Sequence, residues 1–200
     1  MADVYQFKVA IKEVPRKIWR KIEISSTSSV AMLGYAVLAA FECDGSHLFS
    51  IQYRGSRYEI VFDHSFRLAW EPIIDLTKTK LSELELSVGD VLHMEYDYGA
   101  SWEFTIKLIS VTEMKKGTGT HYPYLTAGKG KGIIEDLSPY ELRGIIQETD
   151  QTGEPPALYD ETEDTDDPEF KWDYRDFDLE SMNSYFKDEI YRIRWIYEED

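Results

Sequence analysis

Over the first 24 residues apolar and polar positions alternate with a period of two, the pattern of half-buried strands. Tyr5, Phe7, Val9 and Ile11 share one face, opposite Gln6, Lys8, Ala10 and Lys12. Beyond a turn holding Pro15, Ile18, Ile22 and Ile24 point inward with Arg20 among them, while Trp19, Lys21 and Glu23 point outward. So short a link predicts an antiparallel hairpin. Ser29 then stands as an N-cap before Val30, Leu33, Val37, Leu38 and Phe41, which recur at helical spacing. An amphipathic helix is predicted to lie across the hairpin's apolar face.

Alternation resumes at His47, Phe49, Ile51 and Tyr53, and again at Tyr58, Ile60 and Phe62. The clearest hairpin runs from Val91 to Asp97, turns through Tyr98-Gly99-Ala100-Ser101, and returns along Trp102, Phe104, Ile106 and Leu108. From Met114 to Leu137 periodicity disappears and glycines accumulate, which reads as a long irregular segment. Ser138-Pro139-Tyr140-Glu141 is a capping box with Pro at the first helical position. Asp178 is placed to cap a last helix carrying Leu179, Met182, Phe186, Ile190 and Ile193, expected to dock and so to cover Trp195 and Tyr197. Strands and helices without regular βαβ alternation predict an α+β fold, with a largely antiparallel, roll-like sheet and packed helices.

Charge divides the chain. Residues 1–148 carry 17 basic and 20 acidic side chains, and residues 149–200 carry 5 and 18, within a total of −16. The expected organisation is an α+β body over 1–148, an acidic mobile linker over 149–169 with Pro155-Pro156 and the run Asp160–Asp167, and a docked helical segment over 170–200. This balance argues against nucleic acid as a partner and predicts little DNA binding near physiological salt. The longest apolar stretch has twelve residues, short of the ~20 a membrane helix needs. With no apolar leader and a single cysteine, a cytoplasmic protein is expected, with no membrane partner.

Four segments together resemble the plasmid pRiA4b ORF-3-like family: Tyr5-x-Phe7-Lys8-Val9-x-Ile11 with Pro15-x-x-Ile18-Trp19-Arg20; His47-Leu48-Phe49; Tyr96-Asp97-Tyr98-Gly99-x-x-Trp102; and Tyr122-Pro123 leading to Glu135-Asp136. The ending Phe177-Asp178-Leu179-Glu180-x-x-Asn183 is similar too. The resemblance implies a helix packed on an antiparallel sheet, and an uncharacterised protein of the kind carried on plasmids and mobile elements. Where the family typically has a Pro-Pro-Glu-Asp-x-Gly-Gly turn, often with flanking cysteines, this chain keeps only the acidic pair in Gly132-Ile133-Ile134-Glu135-Asp136.

Candidate chemistry is sparse. Cys43 with His47 four residues on lacks any further sign of a nucleophile–base pair and reads as a structural thiol. Gly128-Lys129-Gly130-Lys131-Gly132 has neither Walker spacing nor a helix opening behind it, and reads as a flexible basic loop. His93, Asp97, Glu135 and Asp136 are the residues that could form a metal site, provided that separate segments bring them together. Trp19, Arg20, His47, Asp97, Tyr98, Trp102 and Tyr122 form the candidate binding surface, being aromatic, planar or charged groups of the kind that dominate interfaces. If buried, Arg20 would need a carboxylate, for which Asp97 is a candidate. The sequence thus favours a non-enzymatic binding or accessory protein with no cofactor and a protein or small-ligand partner. The alternatives are a metal-dependent hydrolase of a phosphate-bearing substrate and a DNA-associated factor using Lys8, Lys12, Arg16, Lys17 and Lys21.

Overall fold

The computed structural model describes residues 2–61, 73–135, 137–159 and 169–198. In chain order the elements are β1 (Asp3–Ile11), β2 (Trp19–Ser25), α1 (Val30–Ala40), β3 (Phe49–Tyr53), β4 (Ser56–Glu59), β5 (Ile73–Asp75), a 3₁₀ turn (Leu81–Leu84), β6 (Val91–Tyr96), β7 (Trp102–Glu113), β8 (Tyr124–Lys129), α2 (Pro139–Thr152), β9 (Ala157–Tyr159), β10 (Glu169–Lys171) and α3 (Leu179–Glu198). Eight strands form one sheet in the order β5-β4-β3-β6-β7-β1-β2-β8, antiparallel except for β4 with β5. The fold is α+β.

The period-two alternation does its expected work in β1, β2, β6 and β7. Phe7, Val9, Ile11, Ile18, Ile22, Ile24, Leu92, Met94, Phe104, Ile106 and Leu108 form the buried face. Helix boundaries follow the caps. Met32 N–H donates to Ser29 Oγ, Ser138 and Glu141 close a capping box around Pro139, and Ser181 N–H donates to Asp178 Oδ1. Each satisfies a helix-start donor that would otherwise lack a partner.

Three elements differ from the sequence-based expectation, each for a physical reason. First, α1 is buried all round rather than on one stripe, with Met32 the only partly open position. The sheet lies against one side and α3 packs on another. The approach is close enough that a Cβ at Gly34 would stand 2.3 Å from the Phe49 ring. Second, the supposedly irregular segment contains β8, which pairs with β2 along its edge. Its one fully buried apolar side chain, Leu125, leaves no period to read. Third, Trp195 does not dock: α3 buries Met182, Phe186, Ile190, Ile193 and Tyr197, and Trp195 stays 61% exposed.

Of the predicted linker, residues 149–152 complete α2 and residues 157–159 pair with β10. Its acidic run, 160–167, lies outside the described residues, as does Phe62. No described helix is long and apolar enough to cross a membrane.

Candidate functional site

Arg20 leaves β2 on the apolar face and is fully buried. Its partners are backbone carbonyls rather than a carboxylate. Nε donates to Ala40 O at 2.8 Å, and Nη1 donates to Trp19 O at 3.1 Å and Lys129 O at 2.9 Å. Ala40 is the last residue of α1, so the guanidinium, rising from the face of the sheet that the helix covers, caps the negative end of that helix. The guanidinium carbon lies 4.1 Å from the Phe177 ring centroid and 5.1 Å from that of Phe41. Burial lowers its pKa to about 10 against the opposing charge of Glu42, leaving it a cation at neutral pH. Nη2 is buried without a partner.

The glycines beside it serve close packing, not flexibility. A Cβ at Gly128 would stand 2.5 Å from the Phe177 ring, one at Gly130 2.5 Å from Lys17 O, and one at Gly132 2.1 Å from Phe41 O. Gly132 N–H donates to Glu42 Oε2 at 2.5 Å, and Ile133 N–H to Phe41 O at 2.9 Å. The run Gly128-Lys129-Gly130-Lys131-Gly132 is therefore an ordered strap laid on the end of α1. With backbone and rings crowding its glycines, it is not a flexible loop.

A cleft of about 520 Å³ opens where this strap meets the start of α3, walled by Glu42, Lys131, Asp176, Phe177, Asp178 and Tyr185. Phe177 touches both the cleft and the Arg20 guanidinium. Glu42, whose charge acts on that guanidinium, also stands on the cleft wall, as does Tyr185. Arg175 on the rim is held by both carboxylate oxygens of Asp173.

At the tip of the β6–β7 hairpin Asp97 adopts a left-handed φ of 53° and accepts from Gly99 N–H at 3.0 Å. His47 Nδ1 approaches its carboxylate at 3.7 Å. Asp97 thus shapes a turn and faces a histidine; it is not the partner of Arg20. Substitution Asp97→Asn keeps the acceptor, and asparagine tolerates this backbone, so stability in chemical denaturation should stay within about 0.5 kcal/mol of the parent. Tyr98 donates to Glu59 at 3.2 Å, with the Arg57 guanidinium 5.4 Å from its ring.

Trp102 does not join the candidate binding surface: alternation places it on the inner face with Phe104, where it is fully buried. Trp19 is half-buried on the outer face of the sheet, with Lys8 Nζ 5.3 Å from its ring centroid. Tyr122 precedes a cis proline and lines a separate hollow with Met32 and Ile190. The candidate binding surface is consequently not one surface. His47, Asp97 and Tyr98 share the hairpin tip, Arg20 underlies the cleft, and Trp19 and Tyr122 stand apart.

The metal candidates also separate. His93 is exposed on the outward side of β6, whereas Glu135 meets the hydroxyl of inward-facing Tyr96. Asp136 lies outside the described residues. Among the described residues no three His, Cys, Asp or Glu side chains are grouped to hold a metal.

What Glu135 joins instead is a carboxylate pair. Asp44 N–H donates to Glu135 Oε1 at 2.6 Å, and the Tyr96 hydroxyl lies 3.1 Å from Asp44 Oδ1 and 3.2 Å from Glu135 Oε1. Burial, aided by the Asp44 charge, raises the Glu135 carboxyl. Burial would raise Asp44 as well, but hydrogen bonds from Ser46 and Tyr96 outweigh it and hold Asp44 low. Asp44 thus keeps the charge, and Glu135 takes up a proton first on acidification. Cys43 beside them is fully enclosed, and burial above all pushes its thiol up, away from reactivity.

Glu42, Asp44 and Tyr185 carry no motif that could single them out, whereas Phe177 opens the family-like ending Phe177-Asp178-Leu179-Glu180. Lys131 lies in the glycine–lysine run, whose spacing reads as a loop and whose packing makes it a strap.

Three comparisons extend this geometry. The profile of the plasmid pRiA4b ORF-3-like proteins matches residues 3–185. The chain superposes on a crystal structure of a protein of unknown function from Methanosarcina mazei Go1 with a TM-score of 0.66 and 20% identity, over 90% of this chain and 98% of that one. At that identity the likeness is one of fold. No curated protein matches the sequence.

Proposed function

The chain belongs to the plasmid pRiA4b ORF-3-like family, and from that premise we propose that it is a non-enzymatic binding protein whose ligand enters the cleft at the start of α3. The observation that carries this reading is the buried, unpartnered Nη2 of Arg20 behind the cleft wall. A charged donor left without an acceptor costs on the order of 1–3 kcal/mol or more, and such groups call for an explanation. A ligand oxygen would supply the missing acceptor once the Phe177 ring turns aside. Lys131 adds a second cation, and Glu42, Asp176 and Asp178 supply negative charge to the same lining. Cations and acids lining one cleft suit a small zwitterion with a carboxylate, such as an α-amino acid or short peptide.

Calorimetric titration and melting curves with the common amino acids and their dipeptides test this directly. At least one carboxylate-bearing compound should raise Tm at about 10 mM. Lys131→Gln should weaken its binding about tenfold without altering Tm of the free protein. If none raises Tm, or if the corresponding amines lacking the carboxylate bind equally well, the cleft is not a carboxylate site.

A further inference from the structure

Strand register creates a charge pattern that the linear sequence conceals. Lys8 on β1 stands directly opposite Lys21 on β2 and, on its other side, directly opposite Lys107 on β7. Three ammonium groups therefore lie in a row across adjacent strands, which sit about 4.8 Å apart. Like charges placed so destabilise a sheet. None of the three has an ion-pair partner among the described residues; on the same strands Glu23 accepts from Gln6 and Glu103 pairs with Lys12. Lys8 and Lys107 are exposed and Lys21 half-exposed.

Aromatic rings flank the row on both sides. Trp19 lies two residues before Lys21 on the same face of β2, its ring in contact with Lys8. Tyr124 of edge strand β8 stands opposite Glu23, with the His121 ring 4.5 Å away.

We propose that this open sheet face binds single-stranded nucleic acid, its phosphates on Lys8, Lys21 and Lys107 and its bases on Trp19 and Tyr124. Sheet-borne aromatics beside cations suit unstacked bases, which a flat face can reach. A duplex is read by an element entering its groove, and this face offers none. An anionic membrane would confront the whole molecule, whose total charge of −16 opposes it, whereas a strand can follow the row alone. The same net charge makes binding weak near physiological salt. This site is separate from the cleft, and either can fail without the other.

Fluorescence anisotropy with a labelled oligothymidylate of about 20 nucleotides tests the proposal. Three released counterions predict a log–log salt slope of about −2, roughly a 20-fold loss of affinity between about 50 and 200 mM salt. Trp19→Leu should weaken binding about tenfold. The triple variant Lys8→Gln/Lys21→Gln/Lys107→Gln should lose binding while its Tm holds or rises, since repulsion is relieved. Should that variant fail to fold, Lys107→Gln alone should reduce the slope by about a third. Absence of binding at about 50 mM salt, an unchanged Kd in the lysine variants, or equal affinity for duplex DNA or phosphatidylserine vesicles overturns the proposal.

Discussion

Replacing Arg20 by Met is expected to lower the free energy of unfolding by about 3–5 kcal/mol. Two effects oppose one another. Met relieves the burial penalty of a cation, but it abandons the carbonyls of Ala40, Trp19 and Lys129, which cannot be mutated away. Each buried acceptor left unsatisfied costs about 1–3 kcal/mol, so the loss prevails. Arg20→Lys separates charge from geometry: it keeps a cation but lacks the planar fork that reaches α1, β2 and β8 together, and should recover only part of the deficit. Urea denaturation of the three proteins measures both differences. Equal midpoints for parent and Met variant would mean that water replaces the guanidinium at the end of α1.

Gly132→Ala is expected to cost about 3 kcal/mol or more, at the upper end of what overpacking does. The methyl would lie 2.1 Å from Phe41 O and 2.6 Å from Phe41 C, so backbone must yield to backbone. Any retreat also stretches the bonds from Gly132 to Glu42 and from Ile133 to Phe41. Gly144 provides the contrast: it lies inside α2, and nothing stands within 4 Å of its added Cβ. Gly144→Ala should stabilise the fold by about 0.5–1 kcal/mol. Thermal and chemical unfolding of the pair distinguish crowding from general intolerance to a methyl group.

Legibility in the sequence followed the range of the interaction. Alternation in β1, β2 and β7 depends on neighbours two residues away, and caps such as Ser29, Ser138 and Asp178 act within three, so both were readable. The all-round burial of α1 depends on α3, far along the chain, and nothing local announces it. Arg20 was recognised on the apolar face, but its partners are carbonyls, which every residue carries and no residue type identifies. His93 and Glu135 stay apart because the pleat turns His93 outward, while Glu135 meets inward-facing Tyr96, and neither residue type announces its side. The lysine row required knowing which residues face one another, and Lys107 lies nearly a hundred residues from Lys8.

The packing of α3 on α1 has a kinetic meaning. Tyr197 stacks on Tyr35 with ring centroids 5.6 Å apart, and its hydroxyl donates to His47 O across 150 residues of chain. β1 likewise acquires its second neighbour only when β7 is available. Contacts of such separation slow folding, since loop entropy is lost before any contact repays it. As the polypeptide emerges from the ribosome at about 5–20 residues per second, α1 is made early and its covering helix late. For that interval the side of α1 that α3 covers in the finished fold, Tyr35 included, is without its cover.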